Sequence, residues 1–215
     1  MKKKSVVQNA AINHINEHSS LYVFITVLFL MGVIFGAILV NSLSFTQSDD
    51  LFYYLSQFFG QVSEAKITAD WDMFTQSVSH NVKYIAVMWI LGVSVIGLPV
   101  ILVLLFLKGI VVGFTVGFLV SQMGWGGFLL SFVSILPQNI IIVPVFIIIA
   151  VISVSLSTKM IQRILMKQIR EPLKPIIMRY IFALTVSVVF LAGAGAIEAY
   201  VSPSLMKNVV SLLNR

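Results

Sequence analysis

Residues 84–158 read YIAVMWILGVSVIGLPVILVLLFLKGIVVGFTVGFLVSQMGWGGFLLSFVSILPQNIIIVPVFIIIAVISVSLST, seventy-five residues in which Lys108 is the single formally charged side chain. A chain of 215 residues cannot bury that much contiguous apolar sequence in a water-soluble core, because a helix that is apolar all round belongs in a large core or in lipid. At about 20 residues per crossing, Lys108 divides the stretch: residues 84–107 make one span, and residues 109–158 hold two. Residues 21–43 and 180–201 are each long enough to cross. The expected fold is therefore all-α: a polytopic helical membrane protein with five transmembrane helices (21–43, 84–107, 109–123, 128–158 and 180–201) and short amphipathic helices at the interface.

Composition agrees. The chain is 59% hydrophobic and 10% charged, whereas soluble domains carry about 25% charged residues. Barrel strands would alternate in polarity over about ten residues, and these runs are continuous. The net charge of +6 is unevenly placed. Lys159, Arg163, Lys167, Arg170, Lys174 and Arg179 lie in one segment and Lys2, Lys3 and Lys4 at the N-terminus, while Asp49, Asp50, Glu64, Asp70 and Asp72 share another. Basic segments stay on the cytoplasmic side, so the N-terminus is expected inside and the C-terminus outside. These clusters read as orientation signals and lipid contacts rather than a nucleic-acid surface. With no cysteine, disulfides and thiolate metal sites are excluded.

Residues 1–20 place Val7, Ala11 and Ile15 on one stripe behind three lysines, an amphipathic segment for the inner membrane face. His14, Glu17 and His18 there spell H-x-x-E-H, a zinc-protease pattern. A catalytic zinc needs a third protein ligand, and His80 is expected across the membrane, so no metal site is assigned. Residues 21–43 are too long for a cleaved secretory segment, whose apolar region spans about 7–15 residues. Residues 44–83 form the extracytoplasmic loop. Leu51, Tyr54, Leu55, Phe58, Phe59 and Val62 give one helical face and Ile67, Trp71, Phe74 and Val78 another; these faces lie on the outer leaflet or receive a partner. A forty-residue loop offers no cleft to separate two carboxylate pKa values, so no catalytic pair is assigned and no enzyme is expected.

In residues 84–107, Gly92, Gly97 and Pro99 suggest a kink, and Lys108 marks an inner turn. Gly109, Gly113 and Gly117 then repeat a small-xxx-small spacing that lets backbones approach closely, within the chain or between copies in a homo-oligomer. Residues 122–127 supply the outer turn. Residues 128–158 would make about 46 Å of helix against a hydrocarbon core of about 30 Å, so this span should break near 137–144, at Pro137, Gln138, Asn139 and Pro144. Residues 159–179 form a cytoplasmic basic loop. The last span runs through Ala192–Ala196 to Glu198, with Tyr200 and Pro203 near its outer end and residues 202–215 as an extracytoplasmic tail.

The closing Ile197-Glu198-Ala199-Tyr200-Val201-Ser202-Pro203, the Leu136-Pro137-Gln138-Asn139 break and the Lys108-Gly109 entry into a glycine-spaced span resemble the stage II sporulation protein M family of bacterial membrane proteins. The resemblance covers essentially the whole chain. Many broader relatives have Pro-His-Gly-x-x-Glu at the break, where this chain has Pro137, Gln138, Asn139 and Ile142. The resemblance implies a multi-pass protein of the bacterial cell membrane, at the sporulation septum and the engulfing mother-cell membrane. There it would scaffold two cell-wall hydrolases, stage II sporulation proteins D and P. Trp71, Asp72 and Phe74, supported by Glu198 and Tyr200, are the expected partner-facing residues; membrane lipid is the other expected partner, with no cofactor and no nucleic acid. The rival expectation is a small-solute or ion transporter using the Pro137 break and Glu198, since broken helices with polar residues near the midplane mark transport sites.

Overall fold

The computed structural model describes residues 15–63, 71–94, 96–166 and 173–213. The amphipathic reading of residues 1–14, with His14, lies outside them, as do Glu64, Ile67 and Asp70 of the outer segment and Lys167 and Arg170 of the basic one. The described residues are helical throughout apart from short turns. In chain order the helices are α1 (Ser19–Leu39, closed by a 3-10 turn Val40–Ser42), α2 (Phe45–Ser63), α3 (Trp71–Gly92), α4 (Gly97–Ser134), α5 (Leu136–Met166), α6 (Leu173–Ala196), a π-helical turn Ile197–Val201, and α7 (Ser202–Leu213). Among the described residues, four stretches are long and apolar enough to cross a membrane: Ser19–Ser42, Gly97–Ser134, Leu136–Gln162 and Tyr180–Val209.

The most extensive helix pair is α1 with α4. A Cβ at Gly32 would lie 2.5 Å from the Phe106 carbonyl oxygen, and one at Gly109 would lie 2.5 Å from that of Phe29. Further along, Gly36 meets Ile110, Gly113 meets Val33, and Gly117 meets Ala37 and Val40. The numbers rise together, so the two helices run parallel. In lipid, where apolar surface drives no association, such close backbone contact is a main source of helix adhesion. The opposite face of α1 exposes Val23, Val27, Leu30, Met31, Ile34 and Ile38, an apolar surface of the kind that lipid covers.

The helix α3 occupies the middle of the bundle. Ile85 and Met88 are fully buried with Ile25, Ile101, Leu105, Phe146 and Ile149. The chain then reverses between Gly92 and Gly97, with the Ser94 amide donating to the Leu91 carbonyl (2.9 Å) and Gly97 to Ser94 (3.1 Å). The Ser157 hydroxyl spans this turn, within hydrogen-bonding distance of the Gly92 carbonyl (2.9 Å) and that of Ser94 (3.1 Å). Nearby, Tyr180 stacks on Trp89 at 4.9 Å, donates to the Trp89 carbonyl (2.7 Å) and shares a hydrogen bond with Ser153 (2.9 Å). This node ties α3, α5 and α6 together at one end.

Several expected boundaries change. Lys108 is not a turn: α4 passes straight through it, and the reversal falls between Gly92 and Gly97, where a Cβ on Gly97 would strike the Leu91 carbonyl and one on Gly92 the Tyr180 hydroxyl and Ser153. The expected span 84–107 is thus the end of α3 plus the start of α4. The first half of α3 is polar, so the helix as a whole is less apolar than those four stretches, yet that half is continuous with the buried one. Residues expected as outer loop, from Trp71 to Lys83, accordingly belong to a bundle helix. The turn expected over residues 122–127 falls at Gly124, whose φ of 54° and ψ of −127° suit glycine alone. Beyond it Gly127 packs on the backbone of Leu119, so the end of α4 folds back along its own preceding turns.

The break before α5 lies at Ile135 rather than within 137–144. Pro137 occupies the first turn of α5, where a missing N–H leaves no bond unmade, and α5 continues through Pro144. The expected tail after residue 201 is instead helical to Leu213, because Pro203 falls in the first turn of α7.

Candidate functional site

The polar half of α3 builds the site. Ser77 and Asn81 are one turn apart on one face, both buried although hydrophilic. Asn81 donates from Nδ2 to the Ser77 carbonyl (3.1 Å) and accepts at Oδ1 from Lys108 Nζ (3.2 Å). The Ser77 hydroxyl donates to Oε2 of Glu198. A ladder of three polar contacts therefore runs along α3 from a lysine on α4 to a carboxylate after α6, rising one helical turn, about 5.4 Å.

Local structure aims each end. Lys108 lies eleven residues past Gly97, about 16 Å into a hydrocarbon core of about 30 Å, so it sits close to mid-depth. Charge at that depth costs at least about 2.5 kcal/mol and needs partners. Besides Asn81, the ammonium lies 5.1 Å from the Phe146 ring centroid and 5.7 Å from that of Tyr84, a cation–π arrangement. Tyr84 is fixed by its own hydroxyl, which donates to the Leu104 carbonyl (2.7 Å). At the other end, Glu198 stands in the π-helical turn. Pro203 has no N–H for the Ala199 carbonyl, and its ring crowds that oxygen, which accounts for the widened turn.

These side chains face a cavity of about 380 Å³, whose wall also includes Gln76, His80, Thr115, Gln138, Asn139 and Ile142. Among the described residues no ion pair joins Lys108 to Glu198; each is held by its neighbour on α3. The Oε1 of Gln138 is buried and has no hydrogen-bond partner, whereas Asn139 donates from Nδ2 to the Ile135 carbonyl (2.8 Å) at the break. A second, mainly apolar cavity of about 470 Å³ adjoins the first and shares Val112, Ile135 and Asn139 with it.

A family model, that of stage II sporulation protein M, matches residues 25–203. The chain belongs to the stage II sporulation protein M family. This ties it to sporulation, and with its apolar helices it is a membrane protein. No curated protein and no solved structure compared with it matches. All of the residues of the α3 ladder and the larger part of α7's approach, up to Pro203, fall within the matched region of this family member.

The structure distributes the sequence's candidates among three places. Gln138, Asn139 and Glu198 share the polar cavity; Pro137 begins the helix that carries the first two. Gly109, Gly113 and Gly117 meet α1 of the same chain. The tilted rings of Trp71 and Phe74 lie 5.1 Å apart and those of Phe74 and Tyr200 6.3 Å apart, while Trp71 and Asp72 are exposed and Pro203 is buried. His18, from the rejected zinc pattern, lies 3.3 Å from the Ser155 hydroxyl. Sequence reasoning missed Lys108, Ser77, Asn81 and His80 as site residues. The available signal was the Ser77/Asn81 spacing of four, which marks a polar helix stripe. It likewise missed Gly32 and Gly36, although their own spacing of four is the pattern recognised at Gly109 and Gly113.

Proposed function

We propose that this protein is a non-enzymatic scaffold in the sporulation membrane, gathering the cell-wall hydrolases stage II sporulation proteins D and P at the septum during engulfment. The observation that carries this reading is a set of exposed aromatic side chains on two helices: Phe45, Tyr53 and Tyr54 on α2, with Asp49 and Asp50 beside them in sequence, and Trp71 next to Asp72 at the start of α3. Aromatic anchors with interspersed charge fit a protein contact better than a lipid one. Two features support five crossings with the N-terminus inside and the C-terminus outside. The parallel packing of α1 and α4 fits a return crossing by α3, and the basic segments favour the inner side. The chain carrying an affinity tag, purified from sporulating cells, should bring both hydrolases with it. Trp71→Ala and Asp72→Ala should lower their recovery several-fold at unchanged membrane levels of the scaffold. Full recovery from both variants would move the contact elsewhere.

A transport reading is favoured by one observation: the break residues Gln138 and Asn139 and the distant Glu198 line the same cavity. Flux of solute into vesicles holding the purified protein, lost in Asn139→Ala or Glu198→Gln, would establish it. Absence of flux with every solute tried would remove it.

A further inference from the structure

The polar cavity has an unusual charge plan. Its wall holds a lysine at the deep end and a carboxylate about one turn away, and the two do not pair with one another. The ammonium of Lys108 is well supplied, by Asn81 and two aromatic faces. Acceptors are in surplus: Oε1 of Gln138 is buried without a donor, and Glu198 has a second oxygen beyond the one that Ser77 engages. A lone cation in this space would satisfy those acceptors but be repelled by Lys108. A lone anion would meet Lys108 but be repelled by Glu198. A molecule carrying both signs incurs neither repulsion. Its acid group can turn toward Lys108 and its ammonium toward Glu198 and Gln138, each as a charge-assisted hydrogen bond. The volume of about 380 Å³ stands near the lower end of the range of about 300–1,000 Å³ for small-molecule sites.

We propose that the chamber between Lys108 and Glu198 binds a small zwitterion: a group with an ammonium and an acid a few bonds apart, such as a free amino acid or the headgroup of phosphatidylethanolamine. The adjoining apolar cavity, which shares Asn139, gives a hydrocarbon substituent somewhere to lie. This deepens the transport reading by naming its ligand class. It does not require flux, because a site can hold a ligand without passing it.

The full-length chain, purified in detergent, is equilibrated with radiolabelled alanine and, separately, with phosphoethanolamine. Acetate and ethylamine serve as single-charge competitors. In a second arm the protein is placed in bilayers of mixed phosphatidylethanolamine and phosphatidylglycerol, and the lipid retained after delipidation is identified. The expected result is saturable binding of a free zwitterion at millimolar concentration or below, or selective retention of phosphatidylethanolamine, which tells the two sources apart. In either case Gln138→Leu and Glu198→Gln should each weaken binding about tenfold or more, as loss of a hydrogen bond to a charged group does. Gln138→Leu replaces a side chain that makes no hydrogen bond through its buried oxygen, so it keeps the test valid should Glu198→Gln fail to fold. The proposal is overturned if no zwitterion binds in either arm, if acetate or ethylamine displaces the label equally well, or if both variants bind normally. Flux is measured after the same purified protein is placed in sealed vesicles: binding without flux retains the site and removes only the transport reading.

Discussion

A Cβ added to Gly113 would fall on the backbone carbonyl of Val33, so α4 and α1 touch here main chain to main chain. A contact this close has no slack. Gly113→Val should push the helices apart and lower stability by about 1–3 kcal/mol, the usual cost of overpacking. Gly193, by contrast, has nothing within 4 Å of where its Cβ would lie, and Gly193→Ala should stay within about 0.5 kcal/mol of the parent. Thermal unfolding of both variants in one detergent reads the difference. Equal stability would mean that α1 and α4 do not meet through this face.

Asn81 and Lys108 should behave as a unit. Asn81→Leu removes the side-chain acceptor that Lys108 reaches at 3.2 Å and should cost about 1–3 kcal/mol. In Asn81→Leu/Lys108→Met neither unsatisfied group remains, so the double variant should be more stable than the sum of the single losses predicts, by about 0.5–3 kcal/mol. Additive losses would show that the two side chains are not coupled.

Removing one oxygen should loosen the opposite end of the bundle. The Tyr180 hydroxyl touches the Trp89 carbonyl and the Ser153 hydroxyl at a position only 2% exposed. Tyr180→Phe keeps the ring stack and leaves those groups without that partner, for a loss of about 1–2 kcal/mol. Ser153→Ala retains the bond from Tyr180 to Trp89 and should cost less. A larger loss in Ser153→Ala than in Tyr180→Phe would contradict this order.

The crossing pattern can be mapped without background labelling, since the chain contains no cysteine. Tyr53→Cys and Trp125→Cys, both exposed, should react with an impermeant maleimide added to intact protoplasts. Ser94→Cys, in the turn between α3 and α4, should react only after permeabilisation. External labelling at Ser94 would rule out a return crossing by α3.

Much of the fold was legible because lipid imposes a simple requirement: long apolar runs must be helical, since every backbone polar group has to be satisfied within the segment. The site was less legible. Lys108 looked like punctuation because a charge interrupting an apolar run is most simply placed at its edge. That rule fails when two neighbouring helices bring a side-chain carbonyl oxygen and two aromatic faces to meet the ammonium, as Asn81 and Tyr84 of α3 and Phe146 of α5 do.

The sequence by itself determined the membrane class, the helical content and the close-packing character of Gly109 and Gly113, each of which depends on hydropathy or spacing within one segment. Only the tertiary structure decided that those glycines receive Gly32 and Val33, that Lys108 lies inside a helix, and that Gln138, Asn139 and Glu198 share one cavity with it. The physical reason is range. Helix formation in lipid is settled by bonds four residues apart, whereas the environment of a buried charge is set by side chains that reach it from other helices. Ser77 and Glu198, 121 positions apart in the chain, are a hydrogen-bonded pair only because α3 and α6 lie side by side.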